Sequence, residues 1–341
     1  MGDHEAIARG LRAVLGNSFG VDDVLVTGIR RLGGGSSREN WSFEVSSAAA
    51  GISARPLLLR RDPPASVAET DRVAEVGVLS ALVTSPVPSP RILASDLDGI
   101  HLARPSVIME RAPGLADRSV LRRRDPLALG AAGRVALAER LCELLAEVHR
   151  LDPASGGLTE LLGPPPPDPA AHEVARWTAE IARTRTEPLP ELAYVGLWLR
   201  ERLPPPPARA ALVHGDFRPA NVLVAGGQPG TLLDWEFAHL GDPAEDVGWY
   251  TAPIYRNEHF GEEATWTPDA FLRRYRERLG PDADEAIDPA RVRFWQVLAL
   301  YKLSAIAVAG VHSFLHGGSD RAAEPPDRVL RLAVVATMER S

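Results

Sequence analysis

The spacing of apolar residues changes several times along the chain, and each change marks an element. Ile7, Leu11, Val14 and Leu15 recur at helical intervals and predict a helix over residues 5–16. From Val24 the period shortens. VLVTGIRRL, RENWSFEV and PLLLRR read as three strands, the first two separated by GGGSS and the last two by a loop through Gly51. Helical spacing returns over residues 66–83, with apolar positions 73, 76, 79 and 83 and Ser66 as the cap. PVPSPRILA is an extended connector into another strand, and PSVIMERAPG is a further strand with its exit. Thereafter helices dominate. VALAERLCELLAEVHRLDP is amphipathic and ends near His149, which we read as a capping or packing residue. Helices over 170–184 and 189–203 lie between two stiff proline tracts, Pro164 to Pro167 and Pro204 to Pro207. Residues 268–279, 289–315 and 324–340 complete the helical set, and no internal repeat is visible.

One central stretch breaks this pattern. LVHGDFRPANVLV and TLLDWEFAHLGDPAEDVGWY contain two short apolar strands joined by AGGQPG, with polar groups just outside each. Pairing the strands brings Asp216, Asn221 and Asp234 to one edge. A carboxylate there can orient a hydroxyl, while an amide oxygen and a second carboxylate suit Mg²⁺, which takes its remaining oxygens from water and substrate phosphates. Such a layout is that of a kinase catalytic loop and metal loop.

Composition narrows the class. A chain of 341 residues can bury a large core and fold as two lobes. Its net charge of −7 excludes the basic face that nucleic acid would demand, so no nucleic-acid partner is expected. Cys142 is the only cysteine, which rules out a disulfide framework and a cysteine-based zinc site, and it should be buried in its helix. MGDHEAIARG has no signal-peptide apolar region, and Ala6 stands where a myristoylation signal has Ser or Thr. Phe294 to Val311 is the longest apolar run. Gln296, Lys302 and Ser304 interrupt it, so we expect a core helix, no membrane partner and a cytoplasmic location. Lys302 is the only lysine of the chain.

HGDFRPAN resembles the HGD-x-x-x-x-N loop of the aminoglycoside phosphotransferase and choline kinase superfamily, which shares the protein-kinase fold. DWE stands where protein kinases have DFG. GDPAEDVGWY is similar to the GDP-x-x-D-x-G segment of the branch that includes the kinase domain attached to some acyl-CoA dehydrogenases. The resemblance implies an α+β, bilobal protein-kinase-like fold. Residues 1–111 would form the nucleotide lobe with its antiparallel sheet. Residues 112–341 would form a mostly helical catalytic lobe with an insertion at about 164–207. It also implies ATP and Mg²⁺, with Asp216 as the catalytic base and Asn221 and Asp234 as metal ligands. His214 would orient the loop.

For the nucleotide, the resemblance points to Gly34, Gly35, Ser36 and Ser37 over the phosphates. It points to Arg60 on the α- and β-phosphates, with Glu75 as its partner. The Glu110 carbonyl and the Ala112 amide would meet the adenine edge. Strand alternation sends one of Arg60 and Arg61 inward and the other to solvent. Two departures stand out: the glycine spacing is not GxGxxG, and arginine replaces the usual lysine on the third strand. Glu236, Asp242 and Asp246 are further acids nearby; one can bind substrate, or Asp246 can brace the loop and Asp242 shape the turn before Pro243. Arg218 is a substrate contact or a partner of these acids. The acceptor would be a hydroxylated small molecule, either an antibiotic, as in resistance enzymes, or a metabolic alcohol or hydroxyacyl compound, handled by a monomer or homodimer. The alternative is a nucleotide-binding pseudokinase acting as a binding module. HRD, DFG and an APE-ended activation segment are lacking, which places a protein kinase last.

Overall fold

The computed structural model describes residues 2–33, 39–62, 72–260, 265–280, 287–317 and 326–338. Gly34, Gly35, Ser36 and Ser37, with Ser66 and Glu69, lie outside the described residues. The chain opens with α1 (Gly2–Phe19), followed by β1 (Leu25–Leu32), β2 (Glu39–Ser47), β3 (Ile52–Arg61), α2 (Arg72–Leu82), β4 (Ile92–Asp96) and β5 (Ser106–Glu110). These strands form one antiparallel sheet in the order β1-β2-β3-β5-β4. Alternation along β3 sorts its side chains. Leu57 and Leu59 join Ile7, Leu11 and Leu15 of α1 in a buried cluster on one face of the sheet, while Leu58 packs toward the larger core on the other.

Arg60 and Arg61 obey the same alternation, with one departure from expectation. Arg61 shares the α1 face and does not reach solvent. It is buried beside Glu39 at 2.7 Å and also bonds the Leu102 carbonyl. A charged side chain on a covered face survives only with such a partner.

The second lobe holds α3 (Gly130–Arg150), α4 (Leu158–Leu162), α5 (Pro169–Thr184), α6 (Pro190–Arg200), β6 (Ala211–Val213), β7 (Val222–Ala225), β8 (Gln228–Leu232), β9 (His239–Gly241), α7 (Ala244–Thr251), α8 (Arg256–His259), α9 (Pro268–Leu279), α10 (Pro289–Leu315) and α11 (Asp327–Met338). Asp168, Thr267 and Asp288 cap α5, α9 and α10 with side-chain oxygens on the first free amides, each followed by a proline whose missing N–H costs nothing there. α10 has the length and apolarity of a membrane-crossing helix. Most of that apolar stretch lies inside the protein, however, packed against α5, α6, α7 and α11. Trp249, Tyr250, Tyr255, Trp266, Tyr275, Trp295 and Tyr301 are all buried, so these aromatics build core.

The central hairpin resolves into two ladders. β7 and β8 pair as the hydrophobic pattern indicates. β6 instead pairs with β9, a three-residue strand in His239–Gly241 that alternation is too short to reveal.

Candidate active site

β6 delivers the chain into a tight turn at His214, Gly215 and Asp216. Gly215 has φ +79, and a Cβ there would sit 2.7 Å from the Phe237 Cβ and 2.8 Å from its carbonyl oxygen. Only glycine fits. Asp246, from the first turn of α7, holds this turn from behind. Its Oδ2 accepts the His214 amide at 2.7 Å and its Oδ1 accepts the Gly215 amide at 2.8 Å. His149 adds a third bond, its Nε2 donating to Asp246 Oδ2 at 3.0 Å while Nδ1 faces the Tyr275 hydroxyl. His149 is therefore a buried link between α3, α7 and α9 rather than a helix cap. Asp242 binds Arg291 and accepts from the Trp295 indole at 3.1 Å and the Ala244 amide at 2.9 Å, which fixes the turn into α7.

His214 has both ring nitrogens engaged. Nδ1 accepts the Asp216 amide at 3.2 Å, and Nε2 donates to the Leu233 carbonyl at 2.9 Å. Burial lowers its pKa and keeps it neutral, against the pull of Asp246 and Asp216.

Asp216 itself accepts from the Asn221 amide nitrogen at 2.8 Å, and its Oδ1 lies 3.2 Å from Arg218 Nε. Arg218 thus pairs with Asp216 itself. Burial raises the Asp216 carboxyl above the ordinary value; Arg218, His214 and Asn221 oppose that rise, and Asp234 adds to it. A carboxylate held this way is a better proton acceptor than a solvated one.

Asn221 ends a short 3₁₀ turn and stands immediately before β7, with its carbonyl accepting the Leu233 amide at 2.7 Å. That bond places Asp234 next to it across the ladder. Asp234 adopts φ +61, a left-handed conformation that aspartate tolerates better than most residues. Its Oδ1 meets Arg60 Nη2, and Arg60 Nη1 lies 3.2 Å from Glu75 Oε1. Arg60 thus spans from β3 to the large lobe. Burial works against its charge, yet Asp234 and then Glu75 raise its pKa and keep it a cation.

Asn221 uses its amide nitrogen on Asp216, so Oδ1 is its remaining ligand atom. Together with the carboxylate of Asp234, whose side chain is 37 % exposed, it presents hard oxygen donors. This donor set fits Mg²⁺. At the edge of the sheet, Glu110 ends β5 with its amide on the Arg91 carbonyl at 2.9 Å and its carboxylate on Arg55. Ala112 follows two residues later, half-buried.

A second polar group lies behind the same turn, and no sequence motif marks it. Lys302 of α10 is buried and donates to the Gly215 carbonyl at 2.6 Å. Its ammonium lies 3.6 Å from Glu245 Oε1 and within 5.4 Å of the Trp177, Phe237 and Trp249 rings. His239 Nε2 is 3.1 Å from Glu245 Oε2, and burial, which alone would lower its pKa, is outweighed by Glu245, lifting it to about 9. Glu173, on α5, is buried too; burial would raise its carboxyl, but His239, Arg176 and Lys302 hold it below the usual range. Ligating atoms of Glu173, His239 and Glu245 lie within 4.8 Å of one another, the spacing of a metal site. Two cations already neutralise the two carboxylates there. The one available signal was a lone lysine in an apolar helix.

Residues 28–295 match the Phosphotransferase enzyme family profile. Among curated proteins, the chain is 26% identical to rat (Rattus norvegicus) acyl-CoA dehydrogenase family member 11, an alignment covering 93% of this chain and 41% of that protein. It is 28% identical to mouse (Mus musculus) acyl-CoA dehydrogenase family member 10 over 60% of this chain and 19% of that protein. The chain therefore spans less than half the length of these relatives. Among solved structures, an aminoglycoside phosphotransferase candidate from Ralstonia eutropha superposes with a TM-score of 0.67 at 18% identity, covering 91% of each chain. The choline kinase LicA from Streptococcus pneumoniae gives 0.60 at 15% identity, covering 92% of this chain and 94% of the other. An aminoglycoside phosphotransferase solved with AMP-PNP and hygromycin B gives 0.53 at 16% identity, covering 97% and 98%. Identities this low speak for the fold alone.

Proposed function

Because this chain belongs to the Phosphotransferase enzyme family, we propose that it moves the γ-phosphoryl group of ATP to a hydroxyl of a small molecule. The reading is carried by one chain of contacts, running from Glu75 through Arg60 to Asp234 and, across the β7–β8 ladder, to Asn221 and Asp216. In it, ATP lies between residues 1–111 and 112–341. The Glu110 carbonyl and the Ala112 amide bond adenine, Gly34 to Ser37 cover the phosphates, and Arg60 binds the α- and β-phosphates. Asn221 Oδ1 and Asp234 hold Mg²⁺, which when bound offsets charge on the phosphate oxygens.

Asp216 orients the acceptor hydroxyl. The acceptor oxygen forms its bond to the γ-phosphorus as the bond to the β,γ-bridging oxygen breaks; the hydroxyl proton passes to Asp216, and ADP leaves. The neutral His214 and the Asp246 carboxylate keep Asp216 in place without competing for that proton.

A coupled ADP-release screen across aminoglycosides, macrolides, nucleoside antibiotics and metabolic alcohols tests the proposal. Wild type should release ADP with at least one acceptor, and Asp216→Asn should not. A protein that binds ATP yet transfers phosphate to none of them is instead a nucleotide-dependent binding module.

A further inference from the structure

The two carboxylate oxygens of Asp216 have different surroundings. Oδ2 accepts the Asn221 amide at 2.8 Å, which ties it to the side of the site that holds Asp234 and Arg60. Oδ1 is buried and accepts no hydrogen bond among the described residues. In the proposed reaction the acceptor hydroxyl therefore gives its proton to Oδ1. Arg218 Nε lies 3.2 Å from that same oxygen, so whatever meets Oδ1 also meets this guanidinium.

The contact is one of charge and not a hydrogen bond. Nε is within ion-pair distance, yet it too is buried without a hydrogen-bond partner, so its N–H is not directed at Oδ1. An arginine that served to hold the carboxylate would turn its fork on it, as Arg60 does with Nη1 on Glu75 and Nη2 on Asp234. Arg218 does otherwise. The proline after it favours extended backbone, and Arg218 has φ −160 and ψ 160 just ahead of the Pro219–Asn221 turn. No described residue accepts a hydrogen bond from its two Nη groups, and its side chain is 34 % exposed. In the proposed function the nucleotide phosphates have Arg60 and the metal, on the Oδ2 side. The Arg218 fork is left beside the oxygen that receives the acceptor.

We infer that Arg218 selects the acceptor: the acceptor is a hydroxy acid, its hydroxyl on Asp216 Oδ1 and its carboxylate on the Arg218 Nη fork. This rests on the phosphotransferase reading and names its substrate class. Two parallel N–H groups match the two oxygens of a carboxylate. Charge sets the choice of anion. One guanidinium, already shared with Asp216, can offset a single further negative charge. A phosphate monoester, with a charge of about −1.5 to −2 at pH 7, would leave a surplus beside the incoming γ-phosphate. A cationic acceptor would meet Arg218 as repulsion.

Calorimetry on the full chain, saturated with AMP-PNP and excess Mg²⁺, tests this without turnover. The probes are hydroxy acids from lactate to long-chain hydroxy fatty acids, each paired with its primary amide, which keeps the hydroxyl and removes the charge. Wild type should bind at least one acid about tenfold or more tighter than its amide, the worth of one charge-assisted hydrogen bond. Arg218→Gln should erase that preference, and Arg218→Lys, which keeps the charge and loses the fork, should retain part of it. No preference in any pair, or one that survives Arg218→Gln, overturns the inference. Tighter binding of glycerol phosphate than of every hydroxy acid does so too. ADP release gives the second arm. Arg218→Gln should lower kcat/KM for the acid more than for its amide, by about the factor lost in binding. An equal loss on both would assign Arg218 to Asp216 or to the transferred phosphoryl group, against the inference. An Arg218-dependent preference for the acid with no ADP release from any pair keeps the carboxylate site and sinks the phosphotransferase. ADP release with neutral or cationic acceptors alone does the reverse.

Discussion

The turn at His214, Gly215 and Asp216 has two polar sides built from similar residues, yet they behave in opposite ways. On the front, Asp216 and Asp234 face Arg218 and Arg60, and Asp234 remains partly open to solvent. On the back, Glu173 and Glu245 face His239 and Lys302 under the cover of Trp177, Phe237 and Trp249. Burial raises the pKa of the front acid Asp216, which makes it more basic; the cations around Glu173 hold its proton affinity down. In the proposed function the front exchanges a proton and ligands. The back is closed and self-neutral, and its task is to grip the Gly215 carbonyl from beneath. What separates reactive from structural carboxylates here is which partners share their burial, not how many acids are present.

Substitutions on the two sides should therefore separate kinetics from stability. The largest effect belongs to the front. Asp216→Asn should lower turnover by about 10²–10⁴ while ATP affinity and the urea midpoint stay at wild-type values, because the residue removed is the proposed base, held under a desolvation penalty. An activity within a few-fold of wild type would remove Asp216 from the chemistry. On the back, Lys302→Met should cost about 3 kcal/mol in urea unfolding, the lower end for breaking a buried charge pair by deleting one partner. Unchanged stability would mean that Lys302 is not holding the loop.

The smallest effect is a slope. His239 is raised from 6.5 to about 9 in the folded chain, so its contribution to stability is complete below pH 6.5 and drains away as pH rises to about 9. At its steepest that is about 1.4 kcal/mol per pH unit for one proton. His239→Gln should flatten the decline between those values, and an equally steep profile in the variant would assign the slope to other groups.

Much of this is legible in the amino-acid sequence. The strand alternation of PLLLRR separated Arg60 from Arg61, and the pair of short apolar runs around AGGQPG located the β7–β8 hairpin with Asn221 and Asp234 at its end. Three things were hidden, each for a physical reason. β9 is three residues long, too short for a period to show, and it exists because β6 needs a partner. Arg61 looked solvent-bound because periodicity does not register Glu39, its partner 22 residues away on the neighbouring strand. The cluster of Glu173, His239, Glu245 and Lys302 is assembled from four elements that only the packing of α5, β9, α7 and α10 brings together. Glu173, His239 and Glu245 each look alone like a solvated charge or a capping group, and only Lys302, inside an apolar helix, stands out.

The central claim is that Asp234, reached from one lobe by Arg60 and from the other by the Asn221 ladder, forms a metal-and-nucleotide site. Calorimetric binding of ATP to wild type and Asp234→Asn, each with and without Mg²⁺, tests it most directly. The account predicts that Mg²⁺ tightens ATP binding to wild type and that Asp234→Asn abolishes this dependence. ATP affinity that ignores both Mg²⁺ and the loss of Asp234 would contradict it.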